Sequence, residues 1–249
     1  MKYKKILVYG GTSEISIELI KIYQKSCEKI IIFSRSKDKL LKTLKEKSTI
    51  DCSENKIEIF EVDLLDLEIN LDIIKNFESD ISGIFWVAGF TGNPEIEYSK
   101  VKDAEENLMV NLVNPVIILT ELSKKIIKNN SSFIAVFCSV AGLRGRKKQL
   151  YYSASKSGLI TFMSGLRQKL FNSNITVMTI IPGYMSTRPF RDGNWNSPGF
   201  LITKPKKVAL IIKEAVDKKK EIIYINTVWK FIMKIITSIP EKIYKRLSF

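Results

Sequence analysis

Short apolar runs, bounded by charge or glycine, alternate along this chain with longer stretches whose apolar residues recur every three or four positions. Lys5 to Tyr9, Lys29 to Phe33, Lys56 to Val62, Gly83 to Val87, Phe133 to Phe137, Ile175 to Ile181 and Glu221 to Ile225 read as strands. Most lack polar alternation, the pattern of strands covered on both faces. Between them a helical period runs through Ile15, Leu19, Ile22 and Tyr23 to about Ser26, then over Asp38 to Lys47, Val101 to about Asn129, Tyr152 to Leu170 and Thr203 to about Lys218. This alternation, with no break in composition, predicts an α/β domain over 1–226: a single parallel, doubly wound sheet flanked by helices. Residues 227–249 form an amphipathic, basic helical tail. In it Val228, Ile232, Ile235 and Ile239 make an apolar stripe, with Lys230 and Lys234 on the opposite side.

Composition narrows the chemistry more than the fold. The 249 residues carry a formal net charge of +14 and no histidine. Without imidazole, Ser-His-Asp hydrolysis and His-ligated metals are excluded. The three cysteines, Cys27, Cys52 and Cys138, are too scattered for a metal set or a disulfide framework. No metal is expected, and a reducing cytoplasm is the expected setting. Met1-Lys2-Tyr3-Lys4-Lys5 leads into no signal-peptide core. No stretch has the ~20 apolar residues of a spanning helix. The positive charge favours phosphates, anionic lipid or nucleic acid; with no nucleic-acid module in view, nucleic acid is not expected as a partner. The tail reads as an anchor that lies peripherally on an anionic membrane face, or as a helix packed on the domain or on a partner subunit.

After the first strand comes Gly10-Gly11-Thr12-Ser13-Glu14-Ile15-Ser16. Strand, glycine turn and helix start make a Rossmann-type dinucleotide site, where backbone N–H groups and the helix dipole face the pyrophosphate. Glu14 brings a negative charge there, so its side chain must point away. Ser34-Arg35 follows the second strand, where an acidic residue would take the ribose hydroxyls of NAD. A guanidinium suits a 2′-phosphate instead, so NADP(H) is expected in preference to NAD(H). A second constellation joins Ser139, at a strand end, to Tyr152 and Lys156, whose spacing places them on one helix face. An adjacent ammonium lowers a phenol pKa from its usual ~10 toward the range useful for proton transfer. Arg144, Arg146, Lys147 and Lys148 lie between them, as a solvated loop or as a clamp for an anionic substrate group such as a phosphate. Residues 190–202, with Trp195 among them, read as a substrate lid.

In this order the motifs resemble the short-chain dehydrogenase/reductase family over nearly the whole chain. The resemblance implies that Tyr152 is the general acid, that Lys156 lowers its pKa and holds the nicotinamide ribose, and that Ser139 polarises the substrate carbonyl. It implies that Asn111, with Asn114 as a competing candidate, supports a water relay to Lys156. Gly10, Thr12, Ser13, Glu14 and Ile15 would line the phosphate turn. Asp63 would bond the adenine, or else cap the next helix. Ala88 and Gly89 would let the backbone approach the cofactor, and Pro182, Gly183, Met185 and Thr187 would grip the nicotinamide amide. Arg144, Arg146 and Trp195 would meet the substrate.

The chain departs from the family pattern at two places. Glu14 and Ser16 replace glycines of its Gly-x-x-x-Gly-x-Gly turn, and Trp86 and Val87 replace both Asn of its Asn-Asn-Ala-Gly. Residues 10–15 and 218–247 further resemble a branch of the family that reduces a keto-pentose carried on a polyprenyl phosphate during cell-envelope synthesis. The expected function is thus NAD(P)H-dependent reduction of a carbonyl on such a carrier. The alternatives are a soluble ketoreductase on acyl thioesters or free sugars, and a nucleotide-sensing protein without turnover. The family often assembles through its long helices, so a homo-oligomer is expected.

Overall fold

The computed structural model describes residues 2–46, 50–53, 55–91, 101–129, 131–192 and 197–247. Its elements in chain order are β1 (Tyr3–Tyr9), α1 (Glu14–Tyr23), β2 (Cys27–Ser34), α2 (Lys37–Glu46), β3 (Ile57–Glu61), α3 (Leu67–Lys75), β4 (Ile81–Trp86), α4 (Val101–Leu108), α5 (Asn114–Ser123) and β5 (Phe133–Phe137). There follow α6 (Leu150–Lys169), β6 (Thr176–Ile181), β7 (Tyr184–Met185), α7 (Arg188–Asp192), β8 (Ile202–Thr203), α8 (Pro205–Asp217), β9 (Ile222–Tyr224), α9 (Thr227–Ser238) and α10 (Glu241–Tyr244).

The apolar runs pair into a seven-stranded sheet of order β3-β2-β1-β4-β5-β6-β9, parallel throughout. Ile30 and Ile32 point into one core with Ile6, Val8 and α1 residues; Ile31 and Phe33 point into the other with Leu7, Tyr9 and α5 residues. That two-sided burial is why the strands lack polar alternation. The strand order reverses between β1 and β4, and in such sheets the crevice beyond the carboxyl ends at the reversal is the binding site. Here it lies between Gly10, after β1, and Ala88, after β4.

Three elements depart from the expected outline. Helix α3 was not marked by the period; Asp66 starts it by accepting from the Ile69 N–H at 3.3 Å. The stretch expected as one helix from Val101 is broken by a π turn at Met109–Val113, where the Asn114 N–H reaches back to the Met109 carbonyl. Pro115, without an N–H, restarts the helix as α5. The two-residue pair β7–β8 is too short to leave a sequence signal.

The tail is built differently from its apolar stripe. Trp229 and Met233 are buried in a small cluster with Val140 and Ile181, and Ile232 and Ile236 pack beside them. Val228 and Ile235 of the expected stripe are instead exposed. The reason is a hole over Gly183: a Cβ there would land on the Trp229 indole. The indole fills this hole and donates to the Leu201 carbonyl at 3.1 Å. No helix among the described residues is long and apolar enough to cross a membrane. Trp229→Ala should therefore lower stability by about 3–5 kcal/mol, the usual cost of emptying a buried Trp site. Urea unfolding measures it, and an unchanged midpoint would show that the indole does not hold the tail.

Candidate active site

Strand β5 delivers Ser139 to the crevice. The residues after it turn sharply: the Ser139 hydroxyl accepts from the Ala141 N–H at 3.1 Å, and Val140–Gly142 make a single 3₁₀ turn. The turn lies directly on α6. A Cβ on Gly142 would come within 2.7 Å of the Lys156 carbonyl carbon and 2.9 Å of its oxygen. Only a residue without a side chain permits that approach. The approach sets the Ser139 hydroxyl beside the Tyr152 phenol, close enough to act on its ionisation. The Val140 N–H donates to the Pro182 carbonyl at 3.0 Å, tying the same turn to the loop after β6.

Lys156 is 2% exposed, and its ammonium donates to the Phe137 carbonyl at 3.1 Å. It lies 5.8 Å from the centre of the Tyr152 ring. A Cβ on Gly89 would sit 3.2 Å from both the Lys156 Nζ and the Asn111 Oδ1, so glycine lets the backbone lie close against both groups. Asn111 stands in the π turn. Its Nδ2 donates to the Phe90 carbonyl at 2.6 Å and its Oδ1 accepts from the Phe90 N–H at 3.0 Å. Asn107 joins this network at 3.1 Å from the Asn111 Nδ2. A π turn widens the helix and is frequent at functional sites. Asn114, the competing candidate, points elsewhere and donates to the Leu64 carbonyl at 2.6 Å.

Burial governs the protonation of this group. It lowers Lys156 to about 8, and it pushes the Tyr152 phenol up to about 12, although part of that side chain still meets solvent. The Ser139 hydroxyl and the positive field of Arg146 pull the phenol back down.

The dinucleotide turn shows how the two lost glycines are accommodated. Gly10 has φ +88°, and a Cβ there would be 2.7 Å from the Ala88 nitrogen. Ser13 caps α1 by accepting from the Ile15 N–H at 3.3 Å. Thr12 is exposed and Ile15 buried. Ser16 is buried and donates to the Gly10 carbonyl at 2.8 Å, so its extra atoms brace the turn. The Glu14 carboxylate accepts from the Arg188 N–H at 3.1 Å and from the Arg191 guanidinium at 2.9 and 3.3 Å. Its charge is turned toward α7 and compensated there, leaving the helix N-terminus receptive to phosphate. Trp86, in place of an Asn, is fully buried and stacks on Tyr9 at 4.4 Å. The glycine turn at Gly10, the compensated Glu14 and the bare backbone at Gly89 fit a dinucleotide.

Other expected residues spread around this centre. Arg35 is exposed at the end of β2. Asp63 is exposed and accepts from the Leu65 N–H at 2.9 Å, closing its own turn; the helix cap it might have supplied comes from Asp66. Met185 is half-buried against the core, and the Thr187 carbonyl accepts from the Phe190 and Arg191 N–H groups at 3.0 Å. Arg144 faces the tail: its guanidinium donates to the Thr237 carbonyl at 3.0 Å and to Glu241 at 2.7 Å, over the Tyr244 ring. It is thus engaged by the tail, while Arg146 faces Tyr152 electrostatically. Trp195 lies outside the described residues. Gly142, Asn107 and Arg191 were missed. Gly142 could have been noticed as a glycine three residues after the strand-end Ser. The Glu14–Arg191 contact bridges 177 positions and leaves no local signal.

A family model described as short chain dehydrogenase matches residues 4–195. Over 245 residues the chain is 21% identical to a protein of Streptomyces coelicolor described as an uncharacterized oxidoreductase, covering 98% of this chain and 96% of that one. It is 27% identical over 187 residues to a 3-oxoacyl-[acyl-carrier-protein] reductase of Rickettsia conorii, covering 74% and 73%. Among solved structures, a short chain dehydrogenase from Burkholderia cenocepacia in complex with NADP superposes with a TM-score of 0.81 at 18% identity, covering 99% of this chain and 98% of that one.

Removing the Arg191 guanidinium exposes the Glu14 charge at the phosphate turn. Arg191→Ala is expected to weaken NADPH binding roughly three- to tenfold, the scale of a charge at a helix end. Adding Glu14→Gln should restore it. Fluorescence titration of the three proteins checks this; equal affinity in all would show that the pair does not touch cofactor binding.

Proposed function

The chain belongs to the short chain dehydrogenase family, and on that premise we propose that it works as a ketone reductase with NADP(H) as its preferred cofactor. The observation that carries the reading is the Ser139 hydroxyl set beside the Tyr152 phenol, with Lys156 buried one helical turn further on and its ammonium 5.8 Å from the Tyr152 ring centre. When bound, the reduced dinucleotide supplies the hydride that the carbonyl carbon receives. Ser139 donates to the carbonyl oxygen and orients it. Tyr152 is neutral at physiological pH, because burial raises it, and gives its proton to that oxygen as negative charge builds. Lys156, poised at about 8, is the proton reserve behind the phenol. Asn111 holds the Gly89–Phe90 backbone beside that reserve. Arg35, exposed after β2, supports the preference for the 2′-phosphorylated cofactor.

For the substrate we propose a ketone on a large phosphate-bearing carrier. The likeness of residues 10–15 and 218–247 to decaprenylphosphoryl-2-keto-ribose reductase supports a keto-sugar on a polyprenyl-phosphate-type lipid. The relatives described as 3-oxoacyl-[acyl-carrier-protein] reductases support an acyl thioester instead. Arg146, with Lys147 and Lys148 beside it, would meet the phosphate of either carrier, since Arg144 is engaged by the tail.

Tyr152→Phe should keep NADPH affinity and lose turnover roughly a hundredfold or more, the usual contribution of a general acid. Turnover close to wild type would end the proposed role. For reduction, kcat/KM should be level on the acid side and fall as pH rises through about 8, where Lys156 gives up its proton. A profile flat through that range would remove Lys156 as the reserve. NADPH oxidation assayed with a lipid-linked 2-keto-pentose and with a 3-oxoacyl thioester separates the two carriers. Arg146→Ala should raise KM for the carrier substrate and leave KM unchanged for the same ketone without its phosphate; equal effects on both would remove the phosphate contact.

A further inference from the structure

The tail presents more apolar surface than the domain covers. Helix α9 buries Trp229 and Met233, yet Phe231 and Ile235 are 67% and 68% exposed, in a second stripe beside the buried one. The stripe continues across the turn into α10. A shallow apolar groove runs between the two helices, lined by Lys234, Ile235, Ser238, Ile239, Pro240 and Ile243, and Ile243 is itself 54% exposed. The inner side needs none of these groups. It is fixed by Trp229 and by the clasp of Arg144 and Tyr244, whose hydroxyl donates to the Gly145 carbonyl at 2.6 Å. Lys234 lines the groove, Lys230, Lys242 and Arg246 are exposed in the same segment, Lys245 lies beside Tyr244 and Lys147 on the clasp side, and none of the five forms an ion pair among the described residues. The one acid in the segment, Glu241, is held by Arg144.

We propose that the outer face of α9 and α10 docks in the plane of an anionic lipid bilayer surface. Phe231, Ile235 and Ile243 would enter the acyl boundary, and Lys230, Lys234, Lys242 and Arg246 would meet headgroup phosphates. Charge decides the occupant. A second copy of the chain, meeting this face across a two-fold axis, would set these cations against themselves, whereas an anionic bilayer neutralises them. Each cation near such a surface strengthens binding roughly fivefold, and the apolar groups add area-proportional transfer from water. The face is rigidly joined to the loop between Ser139 and Tyr152 through Arg144 and Gly145. Docking therefore holds the mouth of the crevice at the lipid surface. The inference stands whichever carrier brings the ketone.

The test is co-sedimentation of the full chain with vesicles of phosphatidylcholine alone and of phosphatidylcholine mixed with phosphatidylglycerol. Wild type should pellet with the mixed vesicles and be released by high salt. The double variant Phe231→Ser with Ile235→Ser should lose roughly tenfold or more in vesicle affinity, with unchanged thermal melting and NADPH affinity. Lys230→Glu with Lys234→Glu should lose binding to the mixed vesicles. Absence of vesicle binding by wild type, or binding that neither double variant weakens, would overturn the proposal. So would a concentration-dependent dimer, lost in the serine variant, in a protein that ignores vesicles; that result assigns the face to a second copy.

Discussion

The crevice depends on one close approach. Position 142 carries no side chain, so the turn after β5 can rest on the backbone of α6 at Lys156. This contact sets the Ser139 hydroxyl on the Tyr152 phenol and sinks the lysine stem beneath Gly89. Any Cβ at 142 would have to displace backbone, which cannot swing aside as a side chain does. The same turn bonds to Pro182, so the loop after β6 keeps its register with the hydroxyl pair.

Close packing also sets the electrostatics. Burial disfavours charge on both ionisable groups, and it acts in opposite directions on an acid that becomes an anion and a base that becomes a cation. The phenol rises to about 12 and the lysine falls to about 8. The result is a pair in which the amine, not the phenol, titrates near physiological pH. A helix spacing of four residues suggested that ammonium would stabilise phenolate. In the folded chain the Ser139 hydroxyl and Arg146 also pull the phenol down, against the burial that raises it.

The unusual residues of the nucleotide turn are each answered by a specific partner. Glu14 is compensated by Arg191 and the Arg188 N–H, Ser16 braces Gly10, and Trp86 turns into the sheet to stack on Tyr9. They change how the turn is supported. The tail follows the same logic on a larger scale. Trp229 fills the hole above Gly183, and Arg144 leaves the basic loop to hold Thr237 and Glu241. The tail is thereby tied to the loop that follows Ser139.

Sequence by itself determined the sheet. Strands buried on both faces need unbroken apolar runs, and those runs are local, so Ile30-Ile31-Ile32 and Phe133 to Phe137 announce themselves without any partner. It also determined the Tyr152–Lys156 face and the glycine turn at Gly10, since both are short-range geometry. The tertiary structure alone decided where charge is compensated and which apolar groups are covered. Glu14 meets Arg191 across 177 positions. Asp66 rather than Asp63 caps α3. Arg144 turns to the tail, and Trp229 is chosen over Val228 and Ile235 because of a hole that Gly183 leaves from another element. Periodicity says that a helix has an apolar side, but the shape of the surface it meets decides which residues are on that side.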